Sequence, residues 1–294
     1  MILATHDGIF HADDVFACAI LKLIHKDIKI IRTRDNEELS KADVCVDVGR
    51  KYDGIKNFDH HQNIFSLRRN NIPYASAGLI WKHFGRKLIK SLIAFNHIDE
   101  ILQTIDAADN GINILEVKKE FKDVFPYTLS KFIDSFNPIL NEENLDYDKA
   151  FLIAVEFAVI ILQNEITIAN NLELSRKIIN KAILNAKKDN KKYIVLSSLI
   201  TGWKEFIDDK DILFVVYKHP DKNWCVHSIP VEENSFESRR LFPESWTDLV
   251  NEKLAEVTGV KDAFFCHKAR FIVCCKTKQG AIKIAEMAVN YEEK

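Results

Sequence analysis

The first 61 residues alternate short apolar runs with amphipathic ones, and this alternation restricts the fold more than any other feature of the chain. Residues 2–5 form a short apolar opening. From Asp13 to Ile24, the residues Val15, Phe16, Ala19, Ile20 and Leu23 then recur at helical spacing. Residues 28–33 read as a strand, 36–39 as a short helix and 44–48 as another strand. Strands joined by crossover helices favour a mainly parallel sheet in an α/β domain, and such sheets bind ligands beyond the carboxyl ends of their strands. Functional side chains are therefore expected just after Thr5, at Asp47 and near Asp59.

From Ser76 the periodicity becomes helical, over 76–84, 87–108 (stopped by Asn110-Gly111), 128–135, 147–163 and 164–186. The polar run 187–192 is the expected boundary between a first domain, 1–190, and a smaller α+β domain, 191–294. Strands at 193–198, 212–218, 224–229, 264–267 and 271–276, with helices at 246–256 and 280–291, would build the second. A length of 294 residues suits about two domains at roughly 150 residues each. The 47% hydrophobic content, with 9 Gly and 6 Pro, excludes a collagen-like or disordered chain.

Charge is balanced, with 41 Lys and Arg against 43 Asp and Glu. That argues against a polybasic nucleic-acid binder but leaves room for a local basic groove. No stretch reaches the ~18 consecutive apolar residues of a membrane span, so no membrane partner is expected. The run 151–162 contains Glu156 and reads as a buried helix; the apolar helices of 147–186 read as core or as a homo-oligomer surface. The first residues lack the pattern of a secretion leader. Six Cys without Cys-x-x-Cys do not form a disulfide framework, and a reducing, cytoplasmic location is expected. Adjacent Cys274 and Cys275 would point to opposite faces of a strand.

Asp and His gather at the front: the first 61 residues hold 5 of the 10 His and 9 of the 23 Asp. They fall in groups, His6-x4-His11-x-Asp13-Asp14, then Asp47, then Asp59-His60-His61, and each group follows an expected strand. Carboxylates and imidazoles without thiolates suit Mn²⁺, Mg²⁺ or Zn²⁺. Six or so ligands exceed the four of one tetrahedral zinc, so two ions fit better. Taken singly, Asp13 or Asp14 is also a natural helix cap and Asp47 a turn residue before Gly49; the ensemble promotes them.

His6, His11, Asp13, Asp47 and Asp59-His60-His61 resemble the motifs of the DHH phosphoesterase superfamily and, within it, the Myg family of metal-dependent hydrolase-like proteins. Further segments match in order: Thr5 to Asp13, Arg32-Thr33-Arg34-Asp35, Val46-Asp47-Val48-Gly49, Ser76 to Ile80 and Asp106 to Gly111. So do Phe236 to Arg239, Pro243 to Trp246 and Thr277 to Met287. The chain departs from the family pattern where glycines are expected, reading Ala269-Arg270 and Cys274-Cys275, and again in Thr247 to Asn251.

The resemblance implies a metal-dependent phosphodiesterase, a 3′–5′ exonuclease on single-stranded RNA or short oligonucleotides using two Mn²⁺ (or Mg²⁺). It implies His6, His11, Asp13, Asp47 and His60 as metal ligands, with Asp106 (first choice) or Asp109 as the fourth-motif carboxylate. His61 would face the phosphate. Asp59 reads as orienting a neighbouring His, because ligating imidazoles commonly give their second N–H to a carboxylate. Arg32 and Arg34 share one strand face and read either as phosphate contacts or as surface partners of Asp35. Arg239 and His267, followed by Arg240, Lys268 and Arg270, are the candidates to reach a phosphate from the second domain. Two other readings are a hydrolase of pyrophosphate or another small phosphate compound, and a non-catalytic metal- or nucleotide-binding module. Peptide hydrolysis has no support, as His-Glu-x-x-His is absent.

Overall fold

In the N-terminal part, chain order is β1 (Ile2–Thr5), α1 (Ala12–Ile24), β2 (Lys29–Arg32), α2 (Asn36–Lys41), β3 (Val44–Val46) and β4 (Asn57–Phe58). The four strands lie in the order β2-β1-β3-β4, all parallel, as the strand–helix alternation requires. Expected strand 44–48 ends at Val46, and β4 is a two-residue strand that periodicity could not reveal. The computed structural model describes residues 1–62, 67, 68, 70–139, 146–232 and 235–291.

Helices α3 (Ser76–Phe84), α4 (Leu92–Asp109), α5 (Leu129–Asp134) and α6 (Tyr147–Lys188) follow. Ser91 caps α4, which stops where Gly111 takes a φ of 70°. Residues 147–163 and 164–186, expected as two helices, form one, because nothing between Gln163 and Asn164 breaks the backbone. Phe151, Ala154, Val155, Ala158 and Leu162 on one face of α6 are buried beside Phe16, Ile20 and Trp81 of α1 and α3. By length and composition alone α6 could also cross a membrane.

The chain divides into two compact units, Met1–Asn170 and Asn171–Lys294. The polar run 187–192 closes α6 and leads into β5 (Tyr193–Leu196). The second unit adds β6 (Phe214–Lys218), β7 (Trp224–Ser228), α7 (Asn251–Thr258), β8 (Ala263–Cys266), β9 (Ile272–Cys275) and α8 (Lys278–Asn290). Its sheet runs β5-β6-β7-β9-β8; only the β5–β6 pair is parallel. Phe214, Phe242, Trp246, Val273 and Ile284 fill its core.

One expectation about the cysteines fails. Cys225 and Cys274 face each other across the antiparallel β7–β9 pair and form a disulfide. Their 49-residue separation hides from local spacing what strand register brings together. Cys275, on the opposite face, is buried and free, as are Cys18, Cys45 and Cys266.

Candidate metal centre

The carboxyl ends of β1, β3 and β4 converge, and the loops leaving them carry His6, Asp47 and Asp59-His60-His61. The N-terminal turn of α1 adds His11, Asp13 and Asp14, and the C-terminal end of α4 adds Asp109. Ligand atoms of these residues form three overlapping groups, each within 4.8 Å: His6, His11, Asp14 and Asp47; Asp47, His60 and His61; and Asp13, His60 and Asp109.

Asp47 lies at the middle. Its Oδ2 is 3.4 Å from His6 Nε2, and its Oδ1 is 3.5 Å from His60 Nε2 and 3.4 Å from His61 Nδ1. The residue takes a φ of 52°, in the left-handed region, where Asp is among the few tolerated side chains. Ser76 Oγ donates to Asp47 Oδ1 at 3.4 Å.

Each surrounding carboxylate is aimed by the backbone. Asp13 accepts from the Ser76 and Ala77 amides at 2.8 and 2.6 Å, the first N–H groups of α3, whose dipole favours an anion there. Asp14 Oδ1 accepts from the His11 amide at 2.8 Å, which turns Oδ2 toward His6 Nε2, 3.3 Å away. His6 Nδ1 lies 3.1 Å from the Asp7 carbonyl; an N–H there leaves Nε2 free to ligate. Asp59 accepts from the amides of Arg50 and His61 and holds His61 Nδ1 at 3.0 Å. It therefore orients His61.

Electrostatics mark the cluster as short of positive charge. Burial and the neighbouring carboxylates Asp47 and Asp109 push Asp13 well above the usual carboxylate range. Burial takes Asp14 up to about 7, with His6 opposing. His60 would be lowered by burial, but Asp109 and Asp47 raise it to about 11. Burial likewise works against Asp47, yet hydrogen bonds from His6 and His60 hold it well below its ordinary value. Asp14 Oδ2 is buried without a hydrogen-bond partner, 3.3 Å from His6 Nε2. An orphaned carboxylate oxygen in a cluster of only oxygen and nitrogen donors fits divalent cations.

The structure separates Asp106 from Asp109, which sequence ranked in the opposite order. Asp109 Oδ2 lies 2.8 Å from His60 Nε2. Asp106 is fully buried and turns to Arg68, whose Nη2 and Nε lie 2.6 and 3.1 Å from its Oδ2, while its Oδ1 accepts from the Gly78 amide. Burial raises Asp106 to about 6 even against the Arg68 guanidinium. Gly78 leaves room for this pair: a Cβ there would overlap the Asp106 carboxylate and stand 2.6 Å from Arg68 Nη2.

The arginines also sort differently. Arg32 is buried between Phe10 and Phe151, donating to the Gly8 carbonyl and pairing with Asp148, so it holds the fold and does not meet Asp35. Asp35 caps α2 instead. Arg34 pairs with Asp7 and lines a cavity of about 650 Å³ with His6, His11, Asp47, Arg50, His61 and Asp109. Arg239, expected to contact phosphate, spends its guanidinium on the carbonyls of Ile207, Asp209, Ile212 and Pro230 within the second unit. His267 Nδ1 accepts from the Ala269 amide, and its ring packs on Phe271. Arg270 donates to the Phe242 carbonyl and takes a φ of 55°, while Asp248 takes 58°. Two of the three departures from the family pattern, at Arg270 and in Thr247 to Asn251, thus include left-handed backbone that glycine would adopt without cost, whereas Cys274-Cys275 lies in β9.

Sequence reasoning left out Asp14 as a ligand and Arg50 at the rim. The consecutive acids Asp13-Asp14 at the start of a helix were the available signal for the first. Arg50, in a left-handed turn after Gly49, gave none.

The segment 2–289 matches the MYG1 exonuclease family, described as an uncharacterised protein family (UPF0160). The MYG1 protein of Saccharomyces cerevisiae is 31% identical, covering 98% of this chain and 95% of its own length. The MYG1 exonuclease of Homo sapiens is 30% identical (96% and 84%), and the MYG1 protein of Dictyostelium discoideum 30% (100% and 98%). No solved structure matches. Because the family match takes in the strand-end histidines and carboxylates as well as nearly all of the second unit, this chain belongs to the MYG1 exonuclease family.

Proposed function

We propose that the chain is a metal-dependent phosphodiesterase that removes nucleotides from the 3′ end of single-stranded RNA or short oligonucleotides. One observation carries this reading: the two oxygens of Asp47 face opposite ligand groups, Oδ2 toward His6 and Oδ1 toward His60. His6, His11 and Asp14 would hold one ion, Asp13, His60 and Asp109 a second, and Asp47 would be common to both; Mn²⁺ or Mg²⁺ suits these donors. Bound there, such ions would lower the pKa of a water and neutralise charge on phosphoryl oxygens.

The remaining work falls to the chain. Asp13 is fixed by two amides of α3 before any ligand arrives, so its ligand geometry is preorganised. His61 is raised by its bond to Asp59, and an imidazolium there can donate from Nε2 to a phosphoryl oxygen as negative charge develops. Arg34 and Arg50 line the same cavity and can hold a neighbouring phosphate. Relatives named MYG1 exonuclease support nuclease chemistry for the family's fold.

The test is cleavage of a 5′-labelled single-stranded RNA with Mn²⁺ and with EDTA. Metal-dependent shortening from the 3′ end is expected. An intact RNA together with Mn²⁺-dependent release of phosphate from pyrophosphate would assign the site to small phosphate compounds.

A further inference from the structure

The face of α6 opposite its buried residues carries an ordered row of side chains. Positions 153, 157, 160, 164, 167, 171, 174 and 178 follow the alternating four-and-three spacing of a coiled-coil seam, and all are exposed. Ile153, Phe157 and Ile160 begin the row, and the exposed Phe157 ring also touches Phe136 and Phe132 of its own chain, with ring centroids 5.1 and 6.5 Å away. Asn164, Thr167 and Asn171 make its middle polar, and Leu174 with Ile178 makes its end apolar again. The row therefore has nearly the same order read from either end.

We infer that this face of α6 pairs antiparallel with the same face of a second copy of the chain, about a two-fold axis between residues 165 and 166. In that register Ile153 meets Ile178 of the second copy, Phe157 meets Leu174, and Asn164 meets Thr167. Ile160 against Asn171 is the one unlike layer. A polar layer within an apolar seam fixes register at some cost in stability. A two-fold axis also repeats every contact, as self-complementary interfaces require.

Charge selects the direction. Glu156 and Lys177 flank the row, both exposed, and each now holds a partner of its own chain, Lys22 and Glu173 respectively. Antiparallel pairing sets Glu156 opposite Lys177 of the second copy, twice. Parallel pairing would set Glu156 beside Ile161 and Lys177 beside Ala182 of the second copy, with no opposite charge at either place. The polar middle counts against a lipid occupant, because Asn164 would lie where a bilayer offers its amide no partner. The pairing does not depend on the catalytic reading.

Sedimentation velocity on the full chain is expected to show a species of twice 33.9 kDa that dissociates on dilution. Leu174→Glu, at a more exposed position, should weaken it at least tenfold with an unchanged circular dichroism spectrum. Glu156→Lys should weaken it, and adding Lys177→Glu should restore it. Oxidation of the double variant Ile153→Cys/Ile178→Cys should give a covalent dimer, since the two positions are about 37 Å apart along one helix and cannot bond within a chain. The single variants should not cross-link. A 33.9 kDa species throughout the micromolar range, or cross-linking of the single variants, would overturn the inference. Flotation with phosphatidylcholine vesicles that Leu174→Glu abolishes would assign the face to lipid and overturn it too.

Discussion

His60 Nε2 lies 2.8 Å from Asp109 Oδ2, while Asp106, one turn earlier on the same helix, gives its carboxylate to Arg68. Two acids three residues apart thus do different work. Asp109→Ala should lower bound metal and turnover by more than roughly a hundredfold and leave the fold intact. Asp106→Ala should leave the Arg68 guanidinium buried with Asp99 alone, costing about 3 kcal/mol of stability. Metal content by atomic emission and urea denaturation of both variants distinguish the roles. Equal metal loss with unchanged stability in both would contradict the division.

Asp47→Asn keeps a side chain that tolerates the left-handed backbone at this position and removes the charge shared by the two ligand groups. Turnover should fall at least about a hundredfold, with an unchanged circular dichroism spectrum. Full activity in this variant would remove the two-ion arrangement.

Metal loading should release protons. Without metal, His60 at about 11 and Asp14 at about 7 hold protons across the neutral range, and an ion must displace them. Apparent Mn²⁺ affinity is therefore expected to rise with pH, by up to about one decade per unit for each proton displaced. Calorimetry at pH 7 in two buffers of different ionisation enthalpy reads the proton count directly. Buffer-independent heats would show that the site is already deprotonated.

Arg239→Met should behave as a stability lesion. Its guanidinium satisfies four carbonyls, and losing charge-assisted bonds of this kind costs on the order of 2–3 kcal/mol. The thermal midpoint should drop, and turnover per folded molecule should stay the same. A selective rise in KM with an unchanged midpoint would return this residue to substrate binding.

The parallel sheet and the strand-end position of His6 and Asp47 were legible because they follow from a two-residue period, helical spacing and the rule that ligands gather beyond carboxyl ends, whereas the two-residue β4 before Asp59-His60 shows no period. The identity of the fourth carboxylate was not. Asp106 and Asp109 share a helical neighbourhood, and only the position of Arg68, 38 residues earlier than Asp106, decides which one turns away. Arg32 misled for a similar reason: strand alternation shows which face it shares, but not that Phe10 and Phe151 cover that face. The Cys225–Cys274 bond depends on register between strands whose cysteines are 49 residues apart. Local patterns carry period and capping; long-range pairing has no local signature.

The hydrogen atom that serves as the side chain of Gly78 ties the two ends of the centre's support together. The helix turn that offers its Ser76 and Ala77 amides to Asp13 is the same turn against which Asp106 and Arg68 close. A methyl group at 78 would press on that ion pair, and relief could come only from moving the guanidinium, the carboxylate or the turn itself. If the turn moves, Asp13 moves with it. The candidate metal centre therefore has a point of mechanical vulnerability that carries no charge, no ligand atom and no reactive group, and a disabling change there would look, by chemistry alone, entirely conservative.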